Sequence, residues 1–256
     1  MSKLFTTELK RQWGLFKAYP MEEIVGAVMM AVFFYMLFLG AKYMAGPTAQ
    51  FGTRLDGIVV GYVVWILLMQ AFSSVSSDLQ AEKTGGTLEQ LMTSPYSSTK
   101  IFLMRACAGL TIQLGQIAVI AAIIMLLTGS RLHYDVAMFV PLVSIIAGAI
   151  GLGFMMGSLV FLLKRITVVA GMCQFFLLFM VMAPIEQFGS LGLYLGSLVP
   201  IAPSSAALRA IMVEQHTDPV LMTLAVVNGI AYFLAGLAVY KHGETNAKKK
   251  GQLGAF

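Results

Sequence analysis

Charged residues are scarce in this chain: Asp, Glu, Lys and Arg make up 11% of its 256 residues, whereas 58% are hydrophobic. A soluble globular domain carries about 25% charged residues. A surface with so few charges would leave a large apolar area in water. The apolar residues also form blocks near or above the ~20 residues that cross a hydrocarbon core. The sequence therefore predicts an integral membrane protein.

Sequence motifs for catalysis and cofactor binding are also missing. No Gly-x-x-x-x-Gly-Lys-Ser/Thr loop is present for nucleotide phosphates, and the three histidines have no Cys, Asp or Glu at ligand spacing. No Ser/His/Asp set or carboxylate pair stands near a membrane face. We therefore predict a non-catalytic chain that itself binds no metal and no cofactor. The net charge of +5 is scattered among loops, which argues against a nucleic-acid partner.

The two cysteines, Cys107 and Cys173, each lie in or beside an apolar block. A free cysteine in such surroundings behaves as a small buried hydrophobe. Two cysteines do not form a disulfide framework, so they indicate nothing about the redox compartment.

The apolar blocks predict an all-α, polytopic fold in which residues 1–256 form a single transmembrane domain with six transmembrane helices. The predicted spans are Ile24–Ala41, Gly57–Val75, Ala106–Thr128, Val136–Leu163, Ile166–Ile185 and Pro219–Tyr240.

Basic residues predict the orientation of these spans. An even number of spans puts both termini on one side, and that side would hold 13 of the 17 Lys and Arg residues. Because cytoplasmic loops carry an excess of Lys and Arg, both termini are expected in the cytoplasm and the protein in the inner (plasma) membrane.

Two further segments outside the predicted spans have recognisable patterns. Residues 1–20 contain an apolar stripe at helical spacing (Phe5, Leu9, Trp13, Phe16), typical of an amphipathic helix in the membrane interface. Residues 186–218 are rich in Gly and Pro yet partly apolar. They favour short re-entrant helices before the last span, provided that their backbone is buried against protein.

Residues 76–100 separate the second span from the third. Thr87 and Gln90 have the spacing of a capping box, and the apolar residues Leu88, Leu91 and Met92 would share one face of the helix that follows. Pro95 would end this helix. The physical pattern alone leaves two alternatives. The segment is either an ordinary connector or a short rigid helix that transmits a movement from a partner protein.

The stretch from Glu82 to Pro95, with Gly86-Thr87-Leu88-Glu89-Gln90-Leu91 followed by Ser94-Pro95, resembles the cytoplasmic signature of permease subunits in the type-2 ATP-binding-cassette (ABC) exporter family. The order of segments along the whole chain is similar to that family as well. The resemblance implies that two permeases, here a homodimer, associate with two copies of a cytoplasmic ATPase, which bind ATP and Mg. It further implies that the segment contains a coupling helix, with residues that touch or support the ATPase contact at Asp78, Glu82, Lys83, Thr87, Glu89, Gln90 and Leu91.

Four glutamines provide most of the amide polarity within the predicted spans. They could form hydrogen bonds between helices, or they could line a substrate path. The 18 methionines favour a hydrophobic or amphipathic substrate. The family resemblance implies that such a substrate would be a drug, a lipid or a lipid-linked glycan. A secondary transporter or channel and a non-transporting membrane subunit stay open as alternatives. The four residues are Gln70, Gln113, Gln116 and Gln174.

Overall fold

The computed structural model describes residues 2–45, 53–128, 135–163, 166–182, 185 and 189–249. Within these ranges the chain is helical and contains no strand. One 3-10 turn, Val136–Met138, leads into α6. The ten α-helices are α1 Ser2–Ala18, α2 Pro20–Ala45, α3 Thr53–Thr84, α4 Leu88–Met92, α5 Ser98–Thr128, α6 Phe139–Val160, α7 Thr167–Met182, α8 Gly189–Gly196, α9 Ala202–Met212 and α10 Pro219–Lys249.

Five helical segments among the described residues are long and apolar enough to cross a membrane, so this is a polytopic membrane protein. The predicted fifth span, Ile166–Ile185, corresponds to α7, which has 16 residues. At 1.5 Å per residue α7 is ~24 Å long, short of a hydrocarbon core of ~30 Å. The count of six spans therefore stays a prediction. The five segments are Pro20–Gly40, Ile58–Thr84, Ser98–Leu127, Val136–Val160 and Pro219–Lys249.

Helices α6 and α10 form the closest contact in the bundle, through small residues that recur every seven positions. A Cβ on Gly229 would lie 2.7 Å from the Ser144 carbonyl oxygen, and one on Gly243 would lie 3.1 Å from Ser158 Cβ. Between these contacts, Gly236 meets the backbone of Gly151. Paired residues increase together along both helices, so α6 and α10 are parallel. Only small residues allow two helix backbones to approach this closely.

Between the end of α6 and the start of α10, helix α7 runs back along the bundle. It begins just after α6 ends, and its Val181 carbonyl oxygen accepts hydrogen bonds from Ser205 Oγ (2.8 Å) and Arg209 Nη1 (2.9 Å) on α9. Helix α9 packs beside the first half of α6, where Ile201 contacts Gly148. After α7 the chain is therefore at the end of the bundle where α10 begins. We name this the α9 end.

The two short helices predicted before the last span are present as α8 and α9, and α9 is buried along almost its whole length. Asn228 of α10 stabilises the turn between them: its side-chain oxygen accepts from the backbone N–H of Ile201 (3.0 Å) and its amide donates to Ser197 O (2.7 Å). Ile201 has a left-handed φ of 68°. A β-branched residue is strained there, and burial with a side-chain hydrogen bond holds it in place. The depth of these helices in a bilayer stays a prediction.

Helix α1 is confirmed as a helix, and it packs lengthwise on α5. Glu8 faces Arg105, and Gln12 lies beside Gly109, so contacts advance in step along both helices. The helical hydrogen-bond pattern continues past Pro20, from Glu23 N to Tyr19 O. The placement of α1 in a membrane interface stays a prediction.

Candidate functional site

The candidate site lies at the end of the bundle where α1, the last turns of α3, α4 and the first turns of α5 meet, which we name the α4 end. Helix α3 continues to Thr84, nine residues beyond the predicted end of the second span at Val75, and α5 begins at Ser98 rather than at Ala106. Polar side chains of the predicted segment 76–100 therefore lie on rigid helices. Their positions are fixed by the bundle.

A glycine turn connects α3 to α4. Gly86 adopts a φ of +70°, its N–H donates to Lys83 O (3.3 Å), and Thr87 N–H donates to Glu82 O (3.1 Å). This is a Schellman motif, in which a residue of left-handed conformation lets the chain satisfy the last helix carbonyls. Glycine suits the position because it has no Cβ. The turn places α4 directly against the end of α3.

The predicted capping box at Thr87 and Gln90 is wrong. Thr87 precedes α4 with near-helical angles (φ −91°, ψ −6°) and makes no side-chain capping bond. A cap needs an extended backbone to direct its oxygen at the helix N–H groups. The Thr87 hydroxyl instead donates to the Glu82 carboxylate, which the glycine turn brings beside it.

Helix α4 is a short amphipathic element, as predicted. Leu88 is buried with 2% of its surface exposed, and Leu91 and Met92 pack partly against the same core. Glu89 and Gln90 are exposed on the other face. The apolar face anchors α4 on the bundle, and the polar face is available to a partner.

Arg105 is the centre of a buried charge cluster at this end. Its Nη1 donates to Glu82 Oε1 (2.9 Å), and its Nε lies 3.4 Å from Glu8 Oε2 and 3.8 Å from Asp78 Oδ2. Arg11 adds a second cation, 3.1 Å from Glu8 Oε2. The side chain of Arg105 is only 8% exposed, so it stays inside the bundle and does not extend to a membrane interface.

The cluster joins three helices through one guanidinium, because Glu8 belongs to α1, Asp78 and Glu82 to α3, and Arg105 to α5. A guanidinium is suited to this role because it presents five donors in a fixed plane. Through the Thr87 hydroxyl the cluster also contacts the residue that precedes α4. The cluster therefore ties α1, α3, α4 and α5 together.

Lys83 connects the α4 end to a fifth helix. It is 6% exposed, and its Nζ donates to Val160 O (2.6 Å) and Leu163 O (3.1 Å) at the end of α6. The last carbonyls of a helix lack partners within the helix and carry partial negative charge, so a lysine there stabilises the terminus. Lys83 therefore turns inward and supports the site from within the bundle.

Sequence reasoning named Asp78, Glu82 and Lys83 but missed Glu8, Arg11 and Arg105. The ion pairs of Glu8 and Arg105 join residues almost one hundred positions apart. No local pattern reveals such a pair. The one available signal was a lone arginine at the start of an apolar block, which requires a counter-charge if it is buried.

The four predicted path glutamines lie on three helices, α3, α5 and α7. Gln174 of α7 donates to Ser73 Oγ of α3 (2.7 Å), and Gln116 of α5 donates to Glu23 Oε2 of α2 (2.6 Å). Gln70 is partly buried on α3, and Gln113 is partly buried on α5. These two hydrogen bonds fit the alternative of interhelical bonding. The substrate path along them stays a prediction.

A groove of about 860 Å³ runs between α1, α2 and α5. Its lining is almost wholly apolar and includes Trp13, Phe16 and Val119, with Glu23 and Gln116 among the few polar contributors. Trp13 and Phe16 stack with their ring centroids 5.5 Å apart. Sequence reasoning did not find this groove because it depends on how α1 packs along α5.

The fold and the site together define a polytopic helical membrane protein with an anchored, polar-faced helix at one end of its bundle. A family model described as "ABC-2 type transporter" matches residues 2–214. The chain therefore belongs to the ABC-2 type transporter family, as a transmembrane, permease component. A search of curated proteins finds no match.

Proposed function

We propose that this chain is the permease subunit of an ATP-driven exporter, with α4 as the helix that docks on a separate ATPase subunit. The observation that carries this proposal is the exposed polar face of α4, with Glu89 and Gln90, on an element whose other face is fixed in the core by Leu88. Membership of the ABC-2 transporter family supplies the class of partner. The chain itself would be non-catalytic.

Movement of α4 would reach the membrane-spanning helices along two routes. The first is the Arg105 cluster, which links the turn before α4 to α1, α3 and α5. The second is Lys83, which links the same turn to the end of α6. Because α6 packs tightly on α10, this second route extends to the last helix. A displacement of a rigid helix can in this way bias the bundle between two states.

The working assembly would hold two permeases, as a homodimer, and two ATPases. ATP and Mg would bind to the ATPases. The α4 end and both termini would face the cytoplasm, with the protein in the plasma membrane. The docking contact would then be supported from within the bundle by Asp78, Glu82, Lys83 and Thr87. Glu89 and Gln90 would contribute to the contact itself, and Leu91 would support it by anchoring α4 on the bundle. The exported substrate would be hydrophobic or amphipathic.

The first test is purification of the tagged chain from its native membrane in a mild detergent, with identification of the proteins that remain bound. We expect a stoichiometric soluble ATPase. Crosslinking from a photoreactive residue at Gln90 should capture the same protein, whereas the same residue at Glu214 near the α9 end should not. Repeated absence of an ATPase from a folded preparation would favour a stand-alone membrane protein.

Glu89→Arg is expected to reduce ATPase retention at least about tenfold, because it reverses a charge on the exposed face of α4. Folding should be unaffected, since Glu89 is exposed and takes no part in the Arg105 cluster. Retention is measured by pull-down and quantified against the permease. Glu214→Arg makes the same charge change at the α9 end and should retain the ATPase fully. Normal retention by Glu89→Arg would remove Glu89 from the contact.

A further inference from the structure

The groove between α1, α2 and α5 has the dimensions of a small-molecule site. Its volume of about 860 Å³ falls within the ~300–1,000 Å³ of typical ligand pockets. Trp13 and Phe16 form one wall, and Ile24, Ala27 and Val119 contribute aliphatic surface. Such a lining suits an apolar molecule with a small number of polar groups.

The acidic lining residue of the groove is Glu23, which accepts a hydrogen bond from Gln116. Gln116 lies eleven residues after Arg105 on α5, a rise of ~17 Å, and near the centre of the predicted span Ala106–Thr128. Glu23 itself belongs to the first turn of α2 and directly precedes the predicted span Ile24–Ala41, so its carboxylate lies where the apolar part of α2 begins. The hydrogen bond to Gln116 fixes its position.

The groove's basic residue lies toward its other end. Lys10 is flanked on α1 by Glu8 and Gln12, which contact Arg105 and Gly109. These contacts place Lys10 toward the α4 end, about two turns of α5 before Gln116. Within the described ranges no lysine or arginine forms an ion pair with Glu23. The negative charge at the Glu23 end of the groove is therefore complementary to a ligand that brings its own cation.

We propose that this groove binds lipophilic organic cations, with the positive group at Glu23 and the apolar body against Trp13, Phe16 and Val119. The cation would gain a charge-assisted contact with the carboxylate, and the apolar body would gain contact with the aromatic wall. A neutral lipid chain would leave the Glu23 charge unmatched. The inference deepens the proposed function, on which it rests, by assigning a substrate class.

Equilibrium binding of radiolabelled tetraphenylphosphonium to the full chain in lipid nanodiscs tests this proposal, with empty nanodiscs as the blank. We expect saturable binding that Glu23→Gln weakens at least about tenfold, the effect of losing one charge-assisted contact. Glu22→Gln removes the neighbouring carboxylate, which does not line the groove, and should bind like the unmodified chain. Tetraphenylborate, of the same shape and opposite charge, should not compete.

Gly115→Phe provides a second variant that does not depend on Glu23. A Cβ at Gly115 meets no atom within 4 Å, and Gly115 lines the groove, so the ring should fill the cavity without disturbing the helices. Gly26 is equally unobstructed but lies outside the lining, and Gly26→Phe is the matched control. We expect loss of binding in Gly115→Phe alone, with unchanged melting temperature and elution volume.

Several outcomes would overturn the proposal. Equal affinity in Glu23→Gln, or competition by tetraphenylborate, would mean that an apolar molecule such as a lipid occupies the groove without charge selection. A change of oligomeric state in Gly115→Phe would assign the groove to an interface between copies of the chain. Because the assay needs no ATPase, its failure leaves the proposed docking at α4 untouched, and failure of the pull-down leaves the groove untouched.

Discussion

Arg105 and Lys83 are the residues whose burial gives the α4 end its rigidity. Each is a cation largely removed from water and held by groups from other helices: Arg105 pairs with Glu8, Asp78 and Glu82, and Lys83 donates hydrogen bonds to carbonyls at the end of α6. A buried ion pair adds little to stability compared with a well-packed apolar replacement. Loss of one partner is expensive, however, because it leaves the other charges unmatched.

Arg105→Met is therefore expected to lower the free energy of unfolding by ~3–5 kcal/mol, since it leaves two carboxylates of α3 and Glu8 beside an apolar side chain. Chemical unfolding in detergent, followed by circular dichroism, measures the change. The double variant Arg105→Met with Glu82→Gln should recover part of the loss, because one of the unmatched charges is gone. Lys100→Met, which removes an exposed cation of the same helix, is the control and should stay within ~0.5 kcal/mol. An equally small effect of Arg105→Met would show that the cluster does not hold the α4 end.

Helices α6 and α10 are coupled through backbone contact rather than through interlocking large side chains. Their small residues recur at seven-residue spacing in both helices, which keeps the same faces together over the length of the contact. Gly153 of α6 makes a similar close approach to α3: a Cβ added there would lie 2.7 Å from the Phe72 carbonyl oxygen. Close packing makes α6 and α10 move as one unit.

Gly236→Leu should force the backbones of α6 and α10 apart. The glycine meets the backbone of Gly151, which cannot move aside as a flexible side chain could. We expect a destabilisation of at least ~1–3 kcal/mol, typical of overpacking, and poor recovery of the folded protein from membranes. Gly171→Leu on α7 places the same side chain where a Cβ meets no atom within 4 Å, and it should fold normally. Melting temperature and fluorescence-detected gel filtration compare the two, and normal behaviour of Gly236→Leu would exclude the close contact.

On the scale of the whole molecule, the parallel packing of α6 and α10 constrains the topology. The chain between parallel neighbours has to return along the bundle, and α7 makes this return. The five long apolar segments together with α7 would give the six spans of the sequence-based prediction. The α4 end and the α9 end would then lie on opposite sides of the membrane.

Cysteine labelling of intact cells tests this arrangement. After replacement of Cys107 and Cys173 by Ser, Glu214→Cys should react with a membrane-impermeant maleimide from outside. Glu89→Cys should react only after permeabilisation, because the excess of basic residues predicts that the α4 end is cytoplasmic. Both sites are exposed, so reactivity reports sidedness rather than burial. Labelling of both from the same side would contradict six spans.

The sequence determined the class of the protein because low charge and long apolar runs leave a bilayer as the only suitable solvent. It also located α4, because the pattern of Leu88, Leu91 and Met92 before Pro95 is local. The short helices α8 and α9 were predictable for the same reason, since Gly and Pro break a span where they stand.

Only the tertiary structure decided which polar groups meet. The failed capping box depended on the fold of the glycine turn, which brings the carboxylate of Glu82, five residues earlier, beside Thr87. The Arg105 cluster, the Lys83 contact with α6 and the groove at Glu23 all join residues of different helices. Hydrophobic periodicity reports whether a face avoids water. It carries no information on which helix covers that face, because apolar contacts are non-directional and the choice of neighbour is made by packing across the whole bundle.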